Sequence, residues 1–146
     1  MARVIAVATD DVRIPVSRAR VERAAALVLQ RERVRDAIVS IAFVGEREIA
    51  RLSWRHLRHK GPTDVISFGF AAPSPDAPVS GDIYISPDVA RRNARAHGAP
   101  IREELLRLVV HGVLHILGHD HPDHDRHSSA MWRRQEALLK RVMDLP

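Results

Sequence analysis

Leu105-Leu106-Arg107-Leu108-Val109-Val110-His111-Gly112-Val113-Leu114-His115-Ile116-Leu117-Gly118 is the stretch whose reading decides the fold. Its leucines, valines and isoleucine cover nearly every helical angle, so a helix of about residues 101–117 is expected to be packed inside a domain rather than laid on its surface. Such a helix needs partners from the rest of the chain. Gly98 and Pro100 break the chain before it, and Gly118 falls where a helix C-terminus favours a residue able to take positive φ.

Upstream, Ser86-Pro87-Asp88 has the chemistry of a helix start: a hydroxyl cap, a proline at the first helical position and a carboxylate near the positive dipole end. It launches residues 87–96. Asp64-Val65-Ile66-Ser67-Phe68-Gly69-Phe70 and Asp82-Ile83-Tyr84-Ile85 read as strands, and the Pro-, Ala- and Ser-rich loop 71–80 between them is the candidate mobile segment. Strand alternation places Phe68, Phe70 and Tyr84 in the core rather than on a base-stacking platform. The N-terminal third reads as a strand at 2–8, a helix at 18–32 capped by Ser17 and buried through Val21, Ala24, Ala25, Leu27 and Val28, a strand at 37–44, and a helix through Ile49, Ala50, Leu52 and Trp54. A last amphipathic helix takes about residues 128–143. Alternating strands and helices with a helical C-terminal half predict one compact α/β (or α+β) domain over residues 1–146, built on a sheet of about four strands.

His111 and His115 are four residues apart, so a helix turning about 100° per residue puts both imidazoles on one face, roughly 6 Å apart along the axis. The helix around them is apolar, so both are expected to be desolvated, and leaving them unpaired there would cost about 1–3 kcal/mol each. Neutral imidazole is the commonest protein ligand for zinc, and one bound ion accounts for the pair. A turn at Gly118 brings His121 toward them as the third ligand. His119 would share the stripe only if the helix ran on through Gly118, and His124 and His127 lie in a polar stretch that reads as solvated loop.

The position after the first histidine, where a His-Glu-x-x-His protease carries its general base, is Gly112, which disfavours peptide hydrolysis by that route. Three neutral ligands leave an open fourth position, and the chain has no cysteine to close it as a structural zinc would require. The site reads as catalytic. Asp120 and Asp82 are candidate orienters of the imidazoles or proton acceptors. Thr63 and Asp64 are candidates for positioning substrate.

The chain is 146 residues long with 45% hydrophobic side chains, enough for one core. It lacks cysteine, a secretory signal and any apolar run near the roughly 20 residues that span a bilayer, which predicts a cytoplasmic protein with no membrane partner. A net charge of +5, supplied almost entirely by arginine, points to a polyanionic partner, most simply nucleic acid. Basic helices such as the one with Arg91, Arg92 and Arg95 fit RNA binding.

Pro62-Thr63-Asp64-Val65-Ile66-Ser67-Phe68, Gly81-Asp82-Ile83-Tyr84-Ile85-Ser86, the run His111 to His121, and the tail around Met131, Gln135 and Glu136 together make the chain resemble the YbeY family of bacterial rRNA maturation factors, metal-dependent single-strand-specific endoribonucleases. The resemblance covers about residues 40–140, with the histidine run its most specific part. It implies a compact α/β fold with one zinc ion per chain on His111, His115 and His121. It also implies action on single-stranded rRNA at the 3′ end of the small-subunit rRNA, a role in ribosome quality control, and the small ribosomal subunit as partner. Many members carry an arginine shortly before the Pro-Thr-Asp block that is thought to assist cleavage; here that position is Leu57, flanked by Arg55 and Arg58. Either guanidinium is a candidate to reach the same phosphate, so His111, Arg58 and Asp120 are the expected catalytic residues, with Arg55, Thr63, Asp64 and Asp82 on substrate.

A metal ion here would either supply a hydroxide nucleophile, leaving hydrolysed ends, or assist an RNA 2′-hydroxyl as Lewis acid, leaving a 2′,3′-cyclic phosphate. Two other classes stay open on these residues: another zinc hydrolase acting on peptides or small esters, and a noncatalytic ribosome-binding assembly factor whose metal is structural.

Overall fold

The computed structural model of the chain describes residues 2–120 and 129–146. The elements run β1 (Arg3–Thr9), α1 (Arg18–Arg31), β2 (Ala37–Phe43), α2 (Glu46–Leu57), β3 (Val65–Phe70), β4 (Val79–Ile85), α3 (Pro87–His97), α4 (Ile101–Ile116) and α5 (Ala130–Met143). The strands form one four-stranded sheet in the order β1-β2-β4-β3. β2 pairs in parallel with both β1 and β4, and β3 closes the sheet as an antiparallel edge.

Strand alternation sorts side chains onto two faces. Val39, Ile41, Ile83 and Ile85 point to the face covered by α1 and α4, with α5 packed on those two helices, and most of the core lies there. Ala42, Ile66, Phe68 and Tyr84 point to the other face and pack with Ile49 and Leu52 of α2. α4 lies against β3 and β4 with α1, α3 and α5 around it, the enclosure its apolar circumference requires. Gly81 makes that approach possible, since a Cβ there would come within 2.6 Å of both Ile116 Cδ1 and Phe68 O.

The helix boundaries follow local chemistry. Ser17 and Ser86 accept backbone N–H bonds from Arg20 and Val89 and so cap α1 and α3, while Ser129 caps α5 through Trp132. α4 ends as its glycine predicts: Gly118 sits at φ 98, its N–H donates to His115 O at 3.0 Å, and the His119 N–H donates to Leu114 O at 3.0 Å.

Two expectations need correction. β4 begins at Val79 rather than 82, because the Val79 N–H donates to Asp36 O at 3.1 Å and the pairing with β2 extends that far, so the connecting loop shortens to 71–78. Phe70 is not core. It is the last residue of the edge strand and is 54% exposed, while Phe68 and Tyr84 are half-buried against α2.

Candidate metal centre

Glu103, Arg107, His111 and His115 recur every four residues and make one polar stripe along the otherwise apolar α4. The rings of His111 and His115 lie 6.2 Å apart between centroids and within 23° of parallel, so both imidazoles project the same way. Their burial differs from expectation: His111 is half-buried and His115 exposed, because the stripe faces a cleft instead of a packed neighbour. The desolvation argument therefore does not apply to His115, and the metal reading rests on spacing and shared direction.

α5 supplies the other wall. The amide oxygen of Gln135, a residue only 2% exposed, lies 2.8 Å from His111 Nδ1. Gln135 Nε2 donates to Glu136 Oε2 at 3.1 Å. Glu136 also accepts two bonds from Arg107, Nε to Oε2 at 2.9 Å and Nη2 to Oε1 at 3.1 Å. Arg107 donates as well to Glu104 at 3.0 Å and lies 3.5 Å from Glu103. Burial pushes the Glu104 carboxyl above its usual range against the pull of Arg107. For Arg107 burial is the largest single influence and works against the charge, but the bonds to Glu136 together with the charges of Glu136, Glu104 and Glu103 raise its pKa.

A pocket lies on each side of the histidine pair. The first, of about 560 Å³, is lined by Asp64, Asn93, Arg107, His111, Trp132 and Gln135 among others. The second, of about 630 Å³, includes Ser67, Gly69, Phe70, Ser80, His115 and Ile116. Gly69 keeps the C-terminal turn of α4 close to the sheet, since a Cβ there would meet Ile116 O at 3.3 Å. The two histidines thus stand between two cavities, each large enough for a small-molecule fragment or a nucleotide.

Of the other candidates, Asp64 lines the first pocket and accepts a bond from Asn93 Nδ2 at 3.2 Å, with the half-buried Thr63 beside it. Asp82 is on the sheet face opposite α4 and accepts from Ser40 Oγ at 2.9 Å, so the structure does not bring it to the histidines. Arg55 and Arg58 leave the exposed C-terminal end of α2 and line neither pocket; the Arg58 guanidinium stacks 5.6 Å from the Trp54 ring centroid. Leu57 between them is 56% exposed. Asp120 is exposed just beyond the Gly118 turn. His119 is held by Glu32 at 2.6 Å, which suits a structural role. His121, His124 and His127 lie outside the described residues, and among the described residues no group of three or more His, Cys, Asp and Glu is gathered to hold an ion.

Sequence reasoning missed Arg107, Asn93 and Trp132 at the site. Arg107 was findable, because it precedes His111 by four residues on the same helical stripe. The other two come from α3 and α5, and no local spacing announces them.

The fold and the histidine stripe define a class, small α/β proteins that present a candidate metal centre from an enclosed helix at the edge of a mixed sheet. The profile of the endoribonuclease YbeY family matches residues 5–143. An endoribonuclease YbeY from Syntrophus aciditrophicus is 33% identical over 144 residues, spanning 95% of this chain and 89% of the relative. One from Thermobifida fusca is 37% identical over 134 residues, spanning 86% of each. A solution structure of a protein from Thermotoga maritima superposes with a TM-score of 0.64 at 26% identity, covering 95% of this chain and 89% of that one. The chain belongs to the YbeY endoribonuclease family.

Proposed function

We propose that the 146 residues act as one catalytic domain, a zinc-dependent endoribonuclease that cuts single-stranded RNA in maturing the 3′ end of small-subunit rRNA in the cytoplasm, with the small ribosomal subunit as partner. The observation that carries the reading is the pair His111 and His115, projecting together at the junction of two pockets in a member of an endoribonuclease family. An imidazole pair fits zinc, a borderline-soft ion, and His121 follows the Gly118 turn closely enough in sequence to complete the set. Held by these nitrogens, a zinc ion would supply Lewis-acid chemistry.

The chain's own groups divide the remaining work. The bond from His111 to Gln135 holds one imidazole against α5, and the pockets take the nucleotides on either side of the scissile bond. Asp64, bonded to Asn93 on the wall of the first pocket, accepts hydrogen bonds from the substrate, and the exposed Asp120 is the candidate proton acceptor. Arg107 is neutralised by Glu103, Glu104 and Glu136 and is a poor phosphate ligand. Charge on the RNA backbone then falls to exposed guanidinium groups, Arg55 and Arg58 first, with Arg58 over Trp54 forming a face suited to phosphate and base together.

The test is cleavage of an end-labelled single-stranded RNA by zinc-loaded protein beside folded His115→Ala protein. Cleavage by the wild type alone supports the reading. No cleavage by either, on rRNA-derived substrates as well, overturns it in favour of a ribosome-binding factor. A 2′,3′-cyclic phosphate on the product identifies the RNA 2′-hydroxyl as nucleophile.

A further inference from the structure

The geometry assigns Gln135 as the positioning residue of the metal centre: it fixes His111 in the tautomer protonated on Nδ1, so that Nε2 is the nitrogen presented for an ion. The assignment rests on the proposed reading of His111 as a zinc ligand. It follows from which atoms can donate. Glu136 is engaged by two Arg107 bonds, so its carboxylate only accepts. Gln135 must therefore turn its NH₂ group toward Glu136 Oε2, and its carbonyl oxygen is left facing His111 Nδ1 at 2.8 Å. A carbonyl oxygen only accepts, so the proton sits on Nδ1.

Burial makes the choice firm. Gln135 is 2% exposed between α4 and α5, so flipping its amide would set its carbonyl oxygen against the Glu136 carboxylate, acceptor against acceptor, with no solvent to compensate. The bonds run in one chain from Arg107 through Glu136 and Gln135 to His111. Arg107 and His111 are one turn apart on α4 and Gln135 and Glu136 are adjacent on α5, so the chain spans the seam between the helices and returns to the helix it started from. The docking of α5 thereby decides which nitrogen of His111 faces the cleft. Partners of this kind, set behind a ligand imidazole, typically contribute 10- to 100-fold to metal affinity.

The test reads two quantities that do not depend on RNA cleavage: the ring nitrogen shifts of His111 in zinc-free protein, and the zinc dissociation constant by competition with a chromophoric chelator. Wild type is expected to show a protonated Nδ1 and an unprotonated Nε2. Gln135→Met, similar in length but lacking the acceptor, is expected to mix the tautomers and weaken zinc binding about 10- to 100-fold. A merely structural role would lower unfolding stability and move neither readout in folded protein. A wild-type His111 protonated on Nε2 overturns the assignment whether or not any variant folds, as does Gln135→Met protein that binds zinc as tightly as wild type. Wild-type protein that binds no zinc overturns the proposed function instead, while the shifts still judge Gln135.

Discussion

Gly112 of α4 lies directly over Ile83 of β4: a Cβ on Gly112 would come within 2.8 Å of Ile83 Cγ2 and 2.9 Å of its Cδ1. The residue after the first histidine therefore points into the sheet, on the buried side of the helix, and no general base could serve the cleft from there. Gly112→Ala gains about 1 kcal/mol of helix propensity but loses about 1–3 kcal/mol to overpacking, for a net destabilisation of about 1 kcal/mol. Removing the obstacle should reverse the sign. In an Ile83→Ala background, the same Gly112→Ala change is expected to stabilise by up to about 1 kcal/mol. Urea unfolding of the four proteins measures this, and equal effects in both backgrounds would show that the contact is not limiting.

Glu104 gives stability a pH dependence whose sign is fixed by its environment. Burial raises its folded-state pKa above the usual 4.5, more than Arg107 lowers it, so the native state binds the proton more tightly than the unfolded chain does. Its contribution is most favourable when protonated, and is lost as pH rises from about 4.5 through the raised folded value. Glu104→Gln keeps an acceptor for Arg107 without the charge. Its stability relative to wild type is expected to increase between pH 4 and pH 7, read from urea midpoints, and a difference that is flat or falls would contradict the burial argument.

Arg107 is 17% exposed in its side chain and bonded to Glu104 and Glu136, with Glu103 at 3.5 Å. Replacing it with leucine leaves those carboxylates without their shared cation. Breaking such a cluster from one side costs about 3–5 kcal/mol when fully buried, and residual exposure reduces this to about 2–4 kcal/mol for Arg107→Leu. Because Glu136 then loses the partner that orients it, the hydrogen exchange of backbone amides along α5 should rise together with the loss of global stability. Protection in α5 that stayed at wild-type levels would show the seam to be held by apolar contacts alone.

Most of the framework was legible because each signal was local. Ser17 and Ser86 announce helix starts, Gly118 announces the stop of α4, and β-branched runs mark the parallel strands. What escaped was set by tertiary placement. Val79 joins β4 only because Asp36 offers it a carbonyl on the neighbouring strand's approach, and Phe70 is exposed only because β3 is an edge that α2 does not fully cover. Within the site, the four-residue recurrence made the pairing of His111 and His115 readable. Their exposure was not, since the apolar residues that enclose α4 say nothing of a cleft opened on one side. The separation of Asp82 from the histidines was hidden for a similar reason. The register that turns it toward Ser40 and away from α4 depends on which sheet face the helix covers.

The exposure of His115 separates an enzyme from a protein whose metal only holds the fold. Its imidazole is exposed at the second pocket, and the Schellman bonds that end α4 run between backbone atoms of His115, Leu114, Gly118 and His119, independent of the ring. A surface substitution of this kind alters stability by within about 0.5 kcal/mol. His115→Ala is therefore expected to unfold in chelator at the wild-type urea midpoint while losing zinc affinity, and to gain no stabilisation from zinc at concentrations that stabilise wild type through linkage. A structural metal makes the opposite demand: wild type stripped of zinc should itself lose its helical circular dichroism or its cooperative transition. With thirty buried apolar residues among the described residues packed without any contribution from His115, the zinc-free chain is expected to keep both.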